Sequence, residues 1–161
     1  MSNYFKVMNI IEKLLHLNIE IPPPPQAAGL YKTVLVEGRI AQFSGHLPIQ
    51  KDGTMITGKV GIDLSLDDAV LAARQVGLNI LASLQSVVGD LDRVDRVYKL
   101  LGMVNADPDF TQHPMVINGC SQLFFDLWGG DCGVGVRSAY WVSGLPLNAS
   151  VEIEGAFLLK E

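Results

Sequence analysis

Cysteine is scarce in this chain of 161 residues, which has only Cys120 and Cys132. Two cysteines at this spacing form neither the disulfide framework of a small secreted domain nor a CxxC metal site. No apolar run approaches the roughly 18 residues that a membrane-spanning helix needs. Lys6, Glu12 and Lys13 interrupt the apolar pattern near the N-terminus, so the core of a signal peptide is missing there. We therefore expect a soluble, reduced, cytoplasmic protein that does not enter a membrane.

Charge is also sparse in the sequence. Only 18% of the residues are charged, against about 25% in an average globular protein. The 12 Lys and Arg are outnumbered by 17 Asp and Glu, for a formal net charge of −5. This balance lacks the basic surface that attracts nucleic acid, which argues against RNA or DNA as a partner. Because 48% of the residues are hydrophobic, one small core cannot cover all the apolar surface, and we expect an interface between subunits.

The length fits one domain, and the sequence changes character only near its N-terminus. Residues 2–18 have apolar side chains at helical spacing and predict an amphipathic helix capped by Ser2. The consecutive prolines from Pro22 to Pro25 lack backbone N–H donors and predict an extended strap. We expect one domain over residues 1–161, with a helical extension at 1–21 and the main body at 22–161.

The main body predicts a mixture of strands and helices. Residues 31–36 and 39–43 alternate in apolar character, as in a β-hairpin, and residues 44–48 follow as a loop. Ser65 and Asp68 form a capping-box pattern at the start of a long helix, which Gly89 ends. The other predicted elements are a strand over 93–104, a helix near 113–128 broken by Gly129, and strands over 136–142 and 150–159. This order predicts an α+β fold, in which two long helices cover one sheet face and a partner subunit covers the other.

The last two predicted strands carry the charged residues of most interest. Alternation puts Arg137, Ala139 and Trp141 on one face of the first strand, and Glu152 and Glu154 on one face of the second. If the two strands pair antiparallel, Arg137 lies near one of the two glutamates. The charges then form either a structural salt bridge, the more common role of paired charges, or an anion site. In an anion site the Arg137 fork binds a carboxylate and a partly buried Glu activates water.

Three C-terminal motifs are specific enough to indicate a family: Val136-Arg137-Ser138-Ala139, Gly144-Leu145-Pro146-Leu147 and Val151-Glu152-Ile153-Glu154. In this order they resemble the signature of the RidA/YjgF reactive-intermediate deaminase family, which also carries the labels endoribonuclease L-PSP and translation inhibitor. Residues 44–48 resemble the family's Ser-Gly-x-x-Pro loop, and Tyr31 and Asn118 stand at its tyrosine and asparagine positions. The resemblance runs from Pro22 to Lys160, and the N-terminal helix resembles the longer, endoribonuclease-labelled branch.

The resemblance implies a chorismate-mutase-like mixed sheet and a homotrimer with clefts between subunits. It implies an enzyme that hydrolyses reactive 2-imino acids, or their enamine tautomers, to 2-keto acids and ammonia without a cofactor. By the same resemblance, Arg137 would bind the substrate carboxylate and Glu152 would activate the attacking water. Tyr31, Gly45 and Asn118 would line the pocket.

Three positions near these residues bear on the pocket. Many family members have a cysteine where this chain has Ala139, so a thiol plays no part here. Trp141 shares the predicted face of Arg137 and would narrow or reshape the pocket. His46 could face the cleft as a ligand or acid–base group, although loop histidines are usually solvated. No two of the three histidines have metal-ligand spacing, so we expect no metal.

Two other functions stay open from the sequence. The departures at Ala139 and Trp141 are compatible with a trimer that binds small carboxylates, or has a regulatory role, without turnover. The endoribonuclease label has weaker support, because the basic residues within 93–99 alternate with acidic ones and form no basic stripe.

Overall fold

The computed structural model describes residues 8–161, and this part of the chain forms three α-helices and five β-strands. A 3₁₀ turn precedes the third strand at Leu91–Arg93, and another precedes the fifth at Pro146–Asn148. The elements confirm the predicted α+β class. In chain order they are α1 (Ile10–His16), β1 (Val34–Glu37), β2 (Ile40–His46), α2 (Leu66–Val88), β3 (Val94–Asn105), α3 (His113–Cys132), β4 (Val136–Val142) and β5 (Val151–Leu159).

The strands form one mixed sheet in the order β1-β2-β5-β3-β4. The pairs are antiparallel except for β3 and β4, which run parallel and are connected through α3. A parallel pair needs such a crossover because a tight turn can only reverse the chain direction. The predicted pairing of the last two strands is therefore wrong, since β3 lies between β4 and β5.

Both long helices pack on one face of the sheet and enclose the core with it. The inward strand residues Phe43, Ile153 and Phe157 belong to one buried cluster with residues of α2 and α3. Large apolar side chains are exposed elsewhere on the strands: Leu35, Tyr98, Val136 and Tyr140. The prediction of two long helices on one face is confirmed.

The contact between α2 and α3 depends on a small residue. A Cβ atom placed on Gly119 would overlap the carbonyl oxygen of Val70 across the helix pair. Glycine at this position therefore lets the two backbones approach more closely than any side chain permits. The Asn118-Gly119 pair lies in the middle of α3, which confirms the helix predicted near 113–128.

Several local predictions hold at the helix ends, and others need correction. Ser65 and Asp68 form the predicted capping box of α2, and Gly89 follows its last turn. The backbone leaves helical geometry at Gly129, as predicted, although helical hydrogen bonding resumes as far as Cys132. Residues 44–46 are not loop but the end of β2, because a β-bulge between Phe43 and His46 carries the pairing with β5 onward.

The N-terminal helix is shorter than the sequence pattern predicts. α1 begins at Ile10, where Asn9 and Glu12 form a capping box, and residues 8 and 9 are not helical. The predicted cap at Ser2 lies outside the described residues. Lys13 of α1 donates a hydrogen bond from Nζ to the Leu127 carbonyl oxygen and so attaches this helix to α3.

Candidate functional site

The predicted site residues fall into two clefts. One cleft of 460 Å³ contains Arg137 and Asn118 and is called the Arg137 cleft here. The other, of 590 Å³, contains Glu152, Gly45 and Tyr31 and is called the Glu152 cleft. Both volumes lie in the range of roughly 300–1,000 Å³ that is usual for small-molecule sites.

In the Arg137 cleft, α3 holds the guanidinium of β4 through three uncharged acceptors. Arg137 Nη1 donates to Asn118 Oδ1 at 2.8 Å and to Ser121 Oγ at 3.0 Å. Its Nη2 donates to the carbonyl oxygen of Pro114 at 3.2 Å. Because Asn118 and Ser121 are three residues apart on a helix, both side chains point to the same side and meet the same nitrogen. Asn118 therefore lies with Arg137, as predicted.

The charge of Arg137 is not neutralised by any carboxylate of residues 8–161. A guanidinium has five N–H donors, so the three bonds to α3 leave two for a ligand. Two parallel N–H donors on a held cation match the two oxygens of a carboxylate. The Arg137 cleft can therefore bind a small carboxylate at low entropic cost, since its cation is already oriented.

In the Glu152 cleft, the bulge in β2 brings backbone and carboxylate together. Phe43 and His46 both face the core, so the two residues between them lie on the other side of the strand. A Cβ atom on Gly45 would overlap Glu152 Oε1, which means that only glycine allows this carboxylate its position. The backbone of Gly45 and the carboxylate of Glu152 thus form one wall of the cleft.

The electrostatic surroundings of Glu152 favour its protonated form. Partial burial raises the pKa of the Glu152 carboxyl, and the negative charge of Glu154 raises it further. Among the described residues, Glu152 has no ion-pair partner that would oppose these effects. A carboxyl of raised pKa that borders a cleft has the properties of a general base or acid.

Tyr31 closes the Glu152 cleft on the side of the N-terminal strap. Its phenol oxygen accepts a hydrogen bond from the backbone N–H of Ala28 at 3.3 Å. Its own N–H donates to the carbonyl oxygen of Gly29 at 3.0 Å. The strap therefore folds back on the Tyr31 ring, and both line the cleft.

His46 is not the solvated loop residue that the sequence predicts. It is only 4% exposed, and burial lowers the pKa of its imidazole. Its Nδ1 lies 2.7 Å from the carbonyl oxygen of Ser44, so Nδ1 carries the proton, and Nε2 accepts from the Ser83 hydroxyl at 2.8 Å. Both ring nitrogens are therefore satisfied inside the protein. His46 borders the Glu152 cleft, but its contacts give it a structural role in holding the end of β2 against α2.

Ala139 and Trp141 line neither cleft in the described part of the chain. Ala139 packs against the core. The indole of Trp141 donates from Nε1 to the Ala106 carbonyl oxygen at 2.7 Å, which fixes the ring at the end of β3. The expectation that Trp141 narrows the pocket of Arg137 is wrong for a single protomer.

Arg137 and Glu152 do not meet within one protomer, which overturns the predicted pair. Their strands are separated by β3, and Arg137 bonds to α3 on the helical face. Glu152 alternates with Val151 and Ile153, which are buried against the helices, so it points to the other face. The salt bridge that strand spacing suggested is absent between these two described residues. The chain instead has two separate clefts, one with a cationic side chain and one with an acidic side chain.

Several residues at these clefts were not found from the sequence. Ser83 and Asn79 are buried polar residues on the apolar face of α2, and both bond to the segment after the bulge. Polar residues on a buried helix face are a signal that could have identified them. Met55 also lines the Glu152 cleft, and nothing local in the sequence marks it. Leu147 lines the same cleft and belongs to the Gly144-Leu145-Pro146-Leu147 motif, which indicated the family but no place at the site.

Residues 8–161 contain neither a metal-binding cluster nor a reactive buried thiol. No group of three or more His, Cys, Asp and Glu residues lies close enough to hold a metal ion in that range. Burial raises the pKa of the Cys120 thiol well above its ordinary value, so this cysteine is unreactive. None of the helices described is both long and apolar enough to cross a bilayer.

Comparison with known proteins gives consistent matches over most of the chain. The model of the family described as "YjgF/chorismate mutase-like, putative endoribonuclease" matches residues 12–156. Protein TCP17 from Trypanosoma cruzi is 35% identical over 145 residues, which is 90% of this chain and 91% of that protein.

Solved structures extend the likeness to the fold. The protein Atu1372 from Agrobacterium tumefaciens, described as having unknown function, is 34% identical, with a TM-score of 0.83 over 94% of both chains. A Shewanella oneidensis protein described as a putative endoribonuclease is 25% identical, with a TM-score of 0.89 over 94% of this chain and all of that one. The likeness in fold therefore covers most of this chain.

Proposed function

Because the chain belongs to the YjgF/chorismate-mutase-like family, we propose that it is an imine deaminase that hydrolyses 2-imino acids to 2-keto acids and ammonia. The membership confirms the resemblance to RidA/YjgF proteins that the C-terminal motifs indicate. The observation that carries the proposal is the guanidinium of Arg137, which α3 orients and no described carboxylate neutralises. Such a group matches the carboxylate that every 2-imino acid has.

The reaction needs an acid–base group near the imine carbon as well as a carboxylate anchor. In our proposal water attacks C2 of the N-protonated imine while Glu152 accepts a proton from that water, which gives a neutral carbinolamine. Glu152 then returns this proton to the amino nitrogen, the C2–N bond breaks, and the hydroxyl proton passes to the departing ammonia as the C2=O bond of the 2-keto acid forms. The raised pKa of Glu152 suits both steps, because a base and acid of intermediate strength works best near neutral pH.

We place the active site between protomers, because one protomer separates the two groups on opposite sheet faces. The Arg137 cleft of one protomer would face the Glu152 cleft of the next. The exposed apolar residues of the strands, such as Val136 and Tyr140, provide surface for this contact. A head-to-tail contact closes into a ring of three when each protomer is rotated by a third of a turn, which is the homotrimer that the family resemblance implies.

An imine-hydrolysis assay tests the proposal. An amino-acid oxidase generates 2-imino acids in the presence of semicarbazide, and an active protein lowers semicarbazone formation. Replacing Arg137 by Ala removes two charge-assisted hydrogen bonds to the substrate, so we expect kcat/KM to fall about 10²- to 10³-fold. Arg137→Lys keeps the charge without the fork and is expected to recover only part of this loss.

The control for this assay is Arg96→Ala. Arg96 is a surface arginine paired with Asp95 and Asp131, and it lines neither cleft. We expect this variant to retain wild-type activity. Equal activity of Arg137→Ala and wild type would contradict the proposed carboxylate anchor.

A carboxylate-binding protein without turnover is the second candidate, because the Arg137 fork does not need Glu152 to hold a ligand. Calorimetric binding of 2-keto acids by a wild type that hydrolyses no imine would select this role. RNA cleavage has less support, since Glu152 and Glu154 place negative charge on the sheet face that bears the larger cleft.

A further inference from the structure

The Glu152 cleft extends beyond the carboxylate into an apolar region. Three separate segments form this region: the strap, the loop after β2, and the turn before β5. Together they form what we call the apolar wall, made of Pro25, Ala28, Ile49, Met55 and Leu147. In the proposed site Arg137 binds the substrate carboxylate and Glu152 lies at the imine carbon. The side chain of the substrate would then contact the apolar wall.

Leu147 has a backbone conformation that leucine rarely adopts. Its φ is 53° and its ψ is 28°, in the left-handed region. A branched side chain is disfavoured there because Cβ crowds the following carbonyl oxygen. The side chain is also 79% exposed, so it contributes little to the core. Neither fact is explained by folding of the protomer, since glycine or asparagine would satisfy the same backbone.

The turn that carries Leu147 is held on both sides. Asn105 is fully buried, and its Nδ2 donates to Asn148 Oδ1 and to the Ala149 carbonyl oxygen, both at 3.1 Å. Lys59 Nζ donates to Asn105 Oδ1 at 3.0 Å and to the Ser143 carbonyl oxygen at 2.8 Å. These bonds fix the chain before and after Leu147, so the leucine is presented to the cleft by a rigid turn.

We propose that Leu147 is a specificity-determining residue that selects substrates with large apolar side chains, of leucine or methionine size, over those of alanine size. The inference rests on the proposed deaminase function and deepens it. Leu147, Met55 and the strap line the same cleft, so an apolar side chain bound there is removed from water by more than one segment. Each buried methylene then raises kcat/KM about fourfold, because binding of the side chain is maintained in the transition state.

The test compares two imines, derived from leucine and from alanine, in wild type and in Leu147→Gly. We expect wild type to prefer the leucine-derived imine by about tenfold or more. In Leu147→Gly this preference falls at least about fivefold, mainly through the leucine-derived imine, as expected for a lost apolar contact. Leu147→Asn, which tolerates the left-handed backbone but is polar, is expected to lose the preference too.

Two measurements separate this role from a structural one. Glycine relieves the backbone strain, so thermal unfolding of Leu147→Gly is expected at or above the wild-type temperature, with an unchanged oligomeric state. Leu71→Ala removes an equally apolar and similarly exposed side chain from α2, outside the clefts, and is expected to keep the substrate preference. A lower unfolding temperature, a dissociated assembly, or an unchanged preference in Leu147→Gly would overturn the inference.

Calorimetry with the two keto-acid products distinguishes failure of the inference from failure of the proposed function. Pyruvate and 4-methyl-2-oxopentanoate are the two probes. If wild type hydrolyses neither imine but binds the larger keto acid more tightly through Leu147, the deaminase proposal fails and the side-chain selection stands. If imines are hydrolysed without regard to side chain, the selection fails alone. If wild type hydrolyses neither imine and binds neither keto acid, the deaminase proposal and the side-chain selection are both overturned.

Discussion

At the residue scale, the absence of a side chain at Gly45 determines where the Glu152 carboxylate lies. The carboxylate occupies the space that a Cβ atom would take at Gly45, and this position buries it partly and keeps it near Glu154. Both effects raise the pKa of Glu152, at a cost to the folded state. The folded protein holds a proton on Glu152 more tightly than the unfolded chain does. Stability therefore falls as pH rises from about 4.3, the ordinary pKa of Glu, through the raised value.

The pH dependence of the hydrolysis rate and of the unfolding temperature in Glu152→Gln tests both effects of this carboxyl. Wild-type hydrolysis is expected to rise with pH through the raised pKa of Glu152, because only the carboxylate accepts a proton from water. Glu152→Gln is expected to lack this rise and to lose about 10²-fold or more in rate, while unfolding at a higher temperature than wild type near pH 7. The hydrolysis rate and the unfolding temperature of each protein are measured from about pH 4 to about pH 8.

Glu154→Gln is the matched control for this experiment. It removes the neighbouring charge that raises the pKa of Glu152, so the rate rise is expected to move to lower pH. A pH profile that is the same in wild type and Glu152→Gln would contradict the role of Glu152 as the base.

At the scale of elements, α2 and α3 position the residues of the Glu152 cleft and the Arg137 cleft. α2 holds the end of β2, because Asn79 Nδ2 donates to the carbonyl oxygens of Leu47 and Ile49, both at 2.9 Å, and Ser83 bonds to His46. α3 presents Asn118, which bonds to Arg137. The two clefts therefore depend on the packing of one helix pair.

Gly119→Ala tests this packing. The added methyl group would overlap the Val70 carbonyl oxygen and force α2 and α3 apart. Overpacking of this kind costs about 1–3 kcal/mol, which lowers the unfolding temperature of a chain this size by about 2–10 °C. Gly130→Ala lies on the same helix, where its methyl group would touch only the edge of the Phe125 ring, and is expected to unfold near the wild-type temperature. Equal unfolding temperatures for the two variants would refute the close-contact argument.

At the scale of the whole molecule, the proposed active site needs a second protomer, because Arg137 and Glu152 lie on opposite sheet faces of one chain. The assembly proposed above would have about three times the 17.5 kDa mass of the chain, which sedimentation can measure. It also has a consequence for mixtures of inactive variants. A site shared by two protomers needs the arginine of one and the glutamate of the other.

Mixed oligomers of Arg137→Ala and Glu152→Gln test this division. Each variant alone is expected to be inactive, but random mixing of the two re-forms about a quarter of the sites with both native residues. Activity of the mixture is therefore expected near a quarter of wild type when the subunits are co-refolded. Mixing Arg137→Ala with the double variant is the control and should restore nothing. If oligomers shown to contain both single variants are no more active than the control mixture, a site shared between protomers is ruled out.

The sequence alone determined the local features of this protein and indicated the residues of the proposed chemistry. Capping boxes, alternation and glycine positions depend on neighbours within a few residues, so the span of α2, the bounds of β4 and the helical Asn118 could be predicted. The C-terminal motifs also identified the family without any structure. The capping and alternation signals involve residues close together in sequence, and the family signature is the order of three short motifs along the chain.

Only the tertiary structure decided how those residues meet. Strand order depends on contacts between residues far apart in sequence, so the insertion of β3 between β4 and β5 could not be read from alternation. It separates Arg137 from Glu152. The bulge that buries His46 and the bonds that hold Leu147 in left-handed geometry likewise come from distant partners, Ser83 and Asn105. A pattern with period two assigns a residue to a face, but the packing of the whole chain decides what that face touches.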